Sequence, residues 1–311
     1  MSGGRVGLVA GIACAAAVVA GPFLPPWALF LVTIALGKGL VVLGLMLFLR
    51  AGLVSFGQAL FYCLGAYAGG GIGRFFGISD IFLVLAAGGL VGGLVGWLLG
   101  FLLARYRAIF FGLLSLAMSM ILYGVLVKNE ALGSTDGFNV LHSTFLGWRP
   151  SNEWVRYATL LVALGTCAAA ALLVERLLRT PLGRLLPALK DNEIRVEYMG
   201  ASARRAIHVI YVVAAVLAGI GGALVGATVG HIDPEMAFWT MSGEFIFIAI
   251  LAGTGSVLAP FLGAIVFGAI HTVAFDLSPN TWQMSLGIAL LLVIVFLPEG
   301  VWSLFTRRRG A

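Results

Sequence analysis

Apolar segments of membrane-spanning length recur along almost the whole chain, and they limit what it can fold into. A helix that crosses a bilayer needs about 20 consecutive, mostly apolar residues. Only 10% of the 311 residues are charged, whereas soluble domains average about 25%. Because so little polar surface is available, water cannot be the main solvent of this chain. The sequence therefore predicts an all-α, polytopic membrane helix bundle, formed as a single domain over residues 1–311.

Ten segments are candidates for spanning helices, so we predict about ten transmembrane helices. The third, eighth and ninth are short or interrupted by glycine, and some of these are expected to be broken or re-entrant. The first could pass for a signal peptide, but the next apolar segment follows at once, and we interpret it as a spanning helix. The ten segments are 6–21, 27–49, 57–73, 81–104, 109–128, 154–178, 206–229, 240–254, 260–276 and 282–298.

The distribution of basic residues predicts the orientation of these helices. If the N-terminus is cytoplasmic, 14 of the 19 Lys and Arg residues fall in inside loops and 4 in outside loops, as the positive-inside rule requires. Both termini are then cytoplasmic. Residues 179–205 form the main cytoplasmic loop, between spans six and seven, and residues 129–153 form a long outer loop. Since the same rule explains the net charge of +6, no nucleic-acid partner is expected.

Small residues predict close helix packing rather than chemistry. Gly88, Gly92, Gly96 and Gly100 recur at every fourth position, which leaves one helix face bare so that a neighbouring backbone can approach. The cysteines lie in apolar stretches without a Cys-x-x-Cys pair and are predicted to be small buried hydrophobes. They are Cys14, Cys63 and Cys167. No metal-ligand set, Ser/His/Asp set or Asp pair stands out, so neither a metal site nor a catalytic residue is predicted, which argues against a membrane enzyme.

Polar residues within the predicted spans are candidates for a translocation path, because lipid penalises them elsewhere. Lys38 is the clearest, and it could either attract a substrate carboxylate or form a structural pair with Glu244. Residues 55–58 could break the third span and expose backbone groups to a cavity, or could end a helix at the cytoplasmic interface. The path candidates are Lys38, Ser55, Phe56, Gln58, Ser115, Ser119, Trp239, Ser242 and Glu244.

The segment LKDNEIRVEYMG, residues 189–200, predicts a short amphipathic helix in the main cytoplasmic loop. Gly200 is expected to end it, as glycine ends many helices. A free loop does not need apolar residues such as Ile194 and Val196 at these positions. Two interpretations remain open from the residues alone: the helix docks into a groove of another protein, or it lies on lipid headgroups.

A longer form of this segment, ALKDNEIRVEYMG, resembles the coupling segment of permease subunits in ATP-binding cassette importers of the branched-chain amino acid type. The stretches AGLVSFGQALFYCLGAY, STDGF and DPEMAFWTMSGEFIFIAILAGTGSVLAPFLGA are similar to further motifs of that family, in the same order. The length and the LPEG tail look more like the larger of the two permease types. The resemblance implies two sets of contact residues. For ATPase coupling these are Lys190, Asp191, Asn192, Glu193, Arg195, Met199 and Gly200, and for binding-protein docking they are Thr135 and Asp136.

The resemblance also implies partners and a compartment. These are a second homologous permease, two ATP-binding cassette ATPases, a periplasmic or extracellular solute-binding protein, and the lipid of the bacterial cytoplasmic (inner) membrane. The GKG at 37–39 lacks the Ser or Thr of a Walker A pattern, so ATP and Mg are expected on the partner ATPases, with no cofactor in this chain.

The implied function is inward transport, by alternating access, of branched-chain amino acids or a related small polar or carboxylate solute. Two alternatives remain. One is an ion-coupled secondary transporter, and the other is an importer of the same class for urea, amides or aromatic acids.

Overall fold

The computed structural model describes residues 24–277, 282–296 and 300–303, together with positions 11, 18 and 21, and these residues are mostly helical. The α-helices in this part of the chain are α1 (Pro26–Arg50), α2 (Gln58–Phe76), α3 (Ile81–Leu103), α4 (Ala108–Val127), α5 (Asn152–Arg179), α6 (Pro181–Asp191), α7 (Glu193–Tyr198), α8 (Ala203–Val229), α9 (Trp239–Ala252), α10 (Ala259–Leu277) and α11 (Trp282–Phe296). Short 3-10 helices span Glu130–Leu132, Ser134–Asp136 and Pro234–Ala237. Two short strands, β1 (Phe138–Asn139) and β2 (His231–Ile232), pair antiparallel.

Local sequence signals set several helix ends. Pro26 begins α1, where its fixed φ and missing N–H carry no penalty. Gly77, at φ +69°, ends α2 in the left-handed conformation that glycine adopts easily. Asp80 then caps α3, because its Oδ1 accepts a hydrogen bond from the N–H of Phe82 at 3.0 Å. The tight link between α2 and α3 therefore follows from two residues of the sequence, Gly77 and Asp80.

The polytopic, all-helical class is confirmed, whereas the predicted number of about ten spans is not. Six helical segments of the described residues are long and apolar enough to cross a membrane: α1, α3, α4, α8 and most of α5 and α10. Helix α9, with 14 residues, is shorter, as its sequence suggested. The predicted first span, 6–21, lies almost wholly outside the described residues, so Cys14 does too. Cys63 and Cys167 are buried, as expected.

Helix α8 is the centre of the bundle, with α1, α2 and α3 packed around it. Backbones meet at glycines there: a Cβ on Gly222 would overlap the carbonyl oxygen of Tyr62, and one on Gly65 would overlap that of Gly219. Gly92 of the predicted four-residue repeat lies against the carbonyl of Ala215 in the same way. Close approach of this kind gives extensive dispersion contact without large side chains, which is how helices associate where lipid removes the hydrophobic driving force.

The bundle has two different ends. At the basic end, α6 and α7 lie beside Arg50 and Arg107, and the Arg50 guanidinium donates to the carbonyl oxygen of Thr254 at 2.7 Å. At the loop end, residues 128–151 and 230–238 pack together. Phe138 and Asn139 pair there with Ile232 and His231. The basic residues of the predicted cytoplasmic loop thus share one end, and the predicted outer loop lies at the other.

The amphipathic helix predicted around residues 188–200 is two helices instead of one. Helix α6 ends at Asp191 and α7 begins at Glu193, with Asn192 extended between them at φ −163°. The Asn192 Oδ1 accepts a hydrogen bond from the N–H of Arg195 at 2.9 Å. Asparagine favours this N-cap geometry over the helix interior. Asn192 therefore explains why α6 and α7 are separate helices, and the prediction of one continuous helix did not take it into account.

We expect Gly222→Ala to destabilise the bundle by about 1–3 kcal/mol, because the added methyl group meets backbone that cannot rotate away. The measurement is the melting temperature of the purified chain in detergent. Gly124→Ala in α4 is the matched control, since a methyl group at this position would meet no other part of the bundle within 4 Å. Equal melting temperatures for the two variants would contradict this packing arrangement.

Candidate translocation and coupling sites

Lys38 and Glu244 form an ion pair between α1 and α9. The Lys38 Nζ lies 2.5 Å from Glu244 Oε1, and the two side chains are 22% and 19% exposed. Lys38 is 12 residues from each end of α1, about 18 Å along the helix axis, so the pair lies at the middle of this candidate membrane-spanning helix. Each ion offsets much of the cost of placing the other in an apolar bundle.

A cavity of about 390 Å³ opens beside this ion pair, on the surface formed by α1, α9 and α10. Its walls are mainly apolar and include Phe30, Leu31, Ile34, Phe267 and Gly268. Trp27 lies at the loop end of α1, and Lys38 lies at its midpoint. The cavity therefore extends from the loop end of the bundle to the level of the ion pair.

Residues 51–57 lead from α1 to α2 without forming a helix, and they enter the bundle before α2 begins. Serines from two other helices accept backbone hydrogen bonds from this segment and from the first turn of α2. The N–H of Phe56 donates to Ser115 Oγ at 3.1 Å, and that of Ala59 donates to Ser242 Oγ at 3.2 Å. Ser115 is seven residues past the start of α4, about 10 Å along its axis. The non-helical segment 51–57 therefore lies inside the bundle, and its interpretation as a break in the third span stays a prediction.

Gln58, the first residue of α2, is fully buried, yet neither its Oε1 nor its Nε2 has a hydrogen-bond partner among the described residues. An unsatisfied buried amide costs about 1–3 kcal/mol, so packing alone gives no reason for a glutamine here. It stands at a helix N-terminus, where unpaired N–H groups carry a positive partial charge. The start of α2 is therefore a polar position inside the bundle with an unsatisfied amide.

The other path candidates are Ser55, Ser119 and Trp239. Ser55 joins the cluster at the break, because its Oγ accepts from the N–H of Gly57 at 3.3 Å. Ser119 lies closer to the loop end and donates to the carbonyl oxygen of Ala237 at 2.7 Å, linking α4 to the 3-10 helix Pro234–Ala237. Trp239 is half-exposed at the start of α9. The structure thus brings Ser55, Phe56, Gln58, Ser115 and Ser242 together and leaves Trp239 apart from them.

The Arg107–Glu193 ion pair holds α7 to the beginning of α4. Arg107 Nε and Nη2 donate to the two carboxylate oxygens of Glu193 at 2.7 and 2.6 Å, and its Nη1 donates to the carbonyl of Ala104 at 2.7 Å. Such a two-point pair fixes orientation as well as distance. From the sequence, Arg107 was assigned only to a cytoplasmic loop. Arg107 and Glu193 are 86 residues apart in the chain, so no local pattern indicates that they pair.

Helix α7 presents an apolar surface at the basic end of the bundle. Ile194, Tyr198 and Met199 are strongly exposed, with Tyr198 at 89%, whereas Val196 is buried against the bundle. Gly200, at φ +84°, turns the chain away after the helix as predicted. Three exposed apolar side chains on one short helix form a surface that another protein or the lipid interface would cover.

Lys190 brings the end of α6 into contact with residues 51–57. Its side chain and backbone lie against Gly52, where the φ of +74° and the proximity of Lys190 both exclude a larger residue. Residues 51–57 are therefore in contact with α6 at one end and with Ser115 of α4 at the other.

Thr135 and Asp136 are exposed at the loop end, in the 3-10 helix Ser134–Asp136. Thr135 Oγ1 donates to Asp136 Oδ1 at 3.2 Å. Gly133 and Gly137 flank the turn, both with positive φ and with no room for a side chain. The turn is rigid and accessible, and its role in docking a binding protein stays a prediction.

The described residues form an all-helical bundle with six helices long and apolar enough to cross a membrane, which defines a polytopic membrane protein. The family model described as "Branched-chain amino acid transport system / permease component" matches residues 27–297. The chain belongs to this family. It is a transport permease, as the sequence resemblance indicated.

Individual relatives agree with this assignment. The high-affinity branched-chain amino acid transport system permease protein LivM of Escherichia coli is 28% identical over 296 residues, which cover 88% of this chain and 68% of LivM. LivM of Salmonella typhimurium is 29% identical over 294 residues, covering 87% and 68%. The permease protein BraD of Pseudomonas aeruginosa is 26% identical over 148 residues, covering 47% and 48%. No solved structure gives a significant match.

We expect Gln58→Leu to keep or raise the stability of the protein and Ser242→Ala to lower it. Leucine removes two unsatisfied polar atoms at Gln58, so the melting temperature in detergent should rise or stay level. Ser242→Ala leaves the buried N–H of Ala59 without its acceptor and should cost about 1–3 kcal/mol. If Gln58 serves transport, the leucine variant should also lose solute uptake in membrane vesicles. A Gln58→Leu protein that is less stable than wild type would show that the amide has a structural partner.

Proposed function

We propose that the chain is one permease subunit of an ATP-driven importer that moves branched-chain amino acids inward by alternating access. Family membership and the permease names of the relatives support this assignment. The proposed assembly contains a second, homologous permease, two ATP-binding cassette ATPases that bind ATP and Mg, and a solute-binding protein. The basic end would face the cytoplasm of the bacterial inner membrane, with both termini on that side, because basic residues favour the inside.

The observation that carries the mechanism is the attachment of α7 to α4 by Arg107 and Glu193. In the proposed assembly the exposed apolar side chains of Ile194, Tyr198 and Met199 insert into a groove of an ATPase. The Glu193 carboxylate is occupied by Arg107 within the chain. Glu193 would then transmit the movement instead of contacting the ATPase directly.

The proposed coupling route continues from α4 to the non-helical segment 51–57. Arg107 is the N-cap residue of α4, and Ser115 of the same helix accepts a hydrogen bond from the N–H of Phe56. Farther along α4, Ser119 holds the carbonyl of Ala237 ahead of α9. Because a helix moves as a rigid unit, closure of the ATPases would displace α4 and, with it, the beginning of α2. Rocking of this kind about a fixed bundle core is how alternating access is achieved.

We expect Glu193→Gln to reduce binding-protein-stimulated ATP hydrolysis and uptake of the reconstituted importer by about fivefold, as a partly exposed pair of ~1 kcal/mol predicts. The double variant Arg107→Glu/Glu193→Arg should recover part of this loss, because the opposite charges meet again. Glu197→Gln is the matched control, since Glu197 is exposed on the same helix. Co-purification of the ATPases with each variant shows that the complex is assembled.

Two results would contradict these proposals separately. Full stimulation of ATP hydrolysis in Glu193→Gln would show that the Arg107–Glu193 pair does not take part in coupling, but it would leave the importer assignment intact. Uptake by the purified chain alone, without ATPases and driven by an ion gradient, would overturn the importer assignment in favour of a secondary transporter.

A further inference from the structure

We propose that the cavity beside Lys38 and Glu244 is a transit site for the zwitterion of an apolar α-amino acid. The Lys38 ammonium would receive the substrate carboxylate, Glu244 would receive the substrate ammonium, and the apolar side chain would lie against Phe30, Ile34 and Phe267. This inference rests on the proposed function and specifies where in this chain the substrate binds on its passage.

The position of the ion pair argues against a surface that faces lipid. Both side chains remain about one-fifth exposed, at a depth about 18 Å from either end of α1. A charged group open to hydrocarbon at this depth is costly even when partly paired, and such residues face bundle interiors or water-filled cavities. The face that carries the pair therefore borders either a neighbouring protein surface or the transport path.

The shape of the cavity favours the path. It extends from Trp27 at the loop end down to Lys38, and it ends at the pair instead of crossing the bundle. Its volume of about 390 Å³ lies within the range of about 300–1,000 Å³ found for small-ligand sites. In the proposed orientation it opens on the outer side, where a binding protein would release its solute.

The lining matches one kind of solute. Among the described lining residues, the polar groups besides the ion pair are the Trp27 indole N–H, His271 and Thr272, and the Thr272 hydroxyl already donates to the carbonyl oxygen of Gly268 at 2.9 Å. The remaining walls are aliphatic and aromatic. Two opposite charges next to an apolar wall are complementary to a molecule with two opposite charges next to an apolar side chain.

Charge balance explains why a zwitterion fits better than a simple anion or cation. When Lys38 and Glu244 separate and each binds the opposite charge of a zwitterion, all four charges stay compensated. A carboxylate without an ammonium group would occupy Lys38 and leave Glu244 unpaired in a poorly solvated site. An unpaired buried charge is strongly unfavourable, so the site should discriminate against solutes that carry one charge.

Site-directed labelling of the assembled importer in proteoliposomes tests this proposal. Ile34→Cys is placed in a Cys14→Ser background, because Cys63 and Cys167 are buried. A small uncharged methanethiosulfonate reagent then modifies the new thiol, with and without L-leucine at saturating concentration. We expect leucine to slow labelling about fivefold or more, since an occupied site shields the thiol. At the same concentration, 4-methylpentanoate and 3-methylbutylamine, which each lack one charge, should give no protection.

Matched controls separate this site from other effects of leucine. Leu173→Cys, in a second apolar cavity between α5 and α8, should be labelled at the same rate with and without leucine. The double variant Lys38→Met/Glu244→Gln should keep the labelling of Ile34→Cys but lose protection by leucine. Thr272→Cys replaces Ile34→Cys if the latter does not assemble.

Three results would overturn the inference: no protection by leucine, equal protection by 4-methylpentanoate, or protection that persists in the double variant. Leucine uptake driven by ATP is measured on the same vesicles. Uptake without protection would reject this transit site while leaving the importer function in place. Protection without any ATP dependence of uptake would retain the site and reject the importer.

Discussion

Direct contact between helix backbones at glycine is the constraint on which the rest of the bundle depends. Gly65, Gly219 and Gly222 bring α2, α3 and α8 so close that no side chain separates them. Gly221 of α8 lies against the carbonyl oxygen of Gly37 in the same way, so α1 also packs directly on the backbone of α8. A rigid centre of this kind allows the surrounding α4, α9 and the 51–57 segment to be held by a few hydrogen bonds.

The length of the apolar segments and the low charge content predicted the class of fold and the positions of most helices, because length and polarity decide whether a segment can lie in lipid. The four-residue glycine repeat likewise indicated which helix faces would be in contact. Both signals are local properties of the chain. The number of spans is less accessible from sequence, since α9 is too short for a simple crossing and α2 starts inside the bundle.

The partners of the polar residues were harder to predict, because they are far apart in the chain. The Lys38–Glu244 pair could be suggested, since few charges lie within the spans and each needs an opposite partner. The Arg107–Glu193 pair could not, because several bases lie at the basic end and nothing in the sequence selects one of them. The division of the coupling segment into α6 and α7 was visible in Asn192, a residue that favours helix caps.

The Lys38–Glu244 ion pair also bears on how the protein responds to an energised membrane. A lone charge that moved through part of the bilayer would couple the conformational change to the transmembrane voltage, at about 2.3 kcal/mol per charge for each 100 mV crossed. Lys38 and Glu244 lie in contact and at the same depth, so they contribute almost no net gating charge when the helices rock together. In the proposed alternating-access cycle, movement of the intact pair would therefore not couple the outward and inward conformations to the electric field.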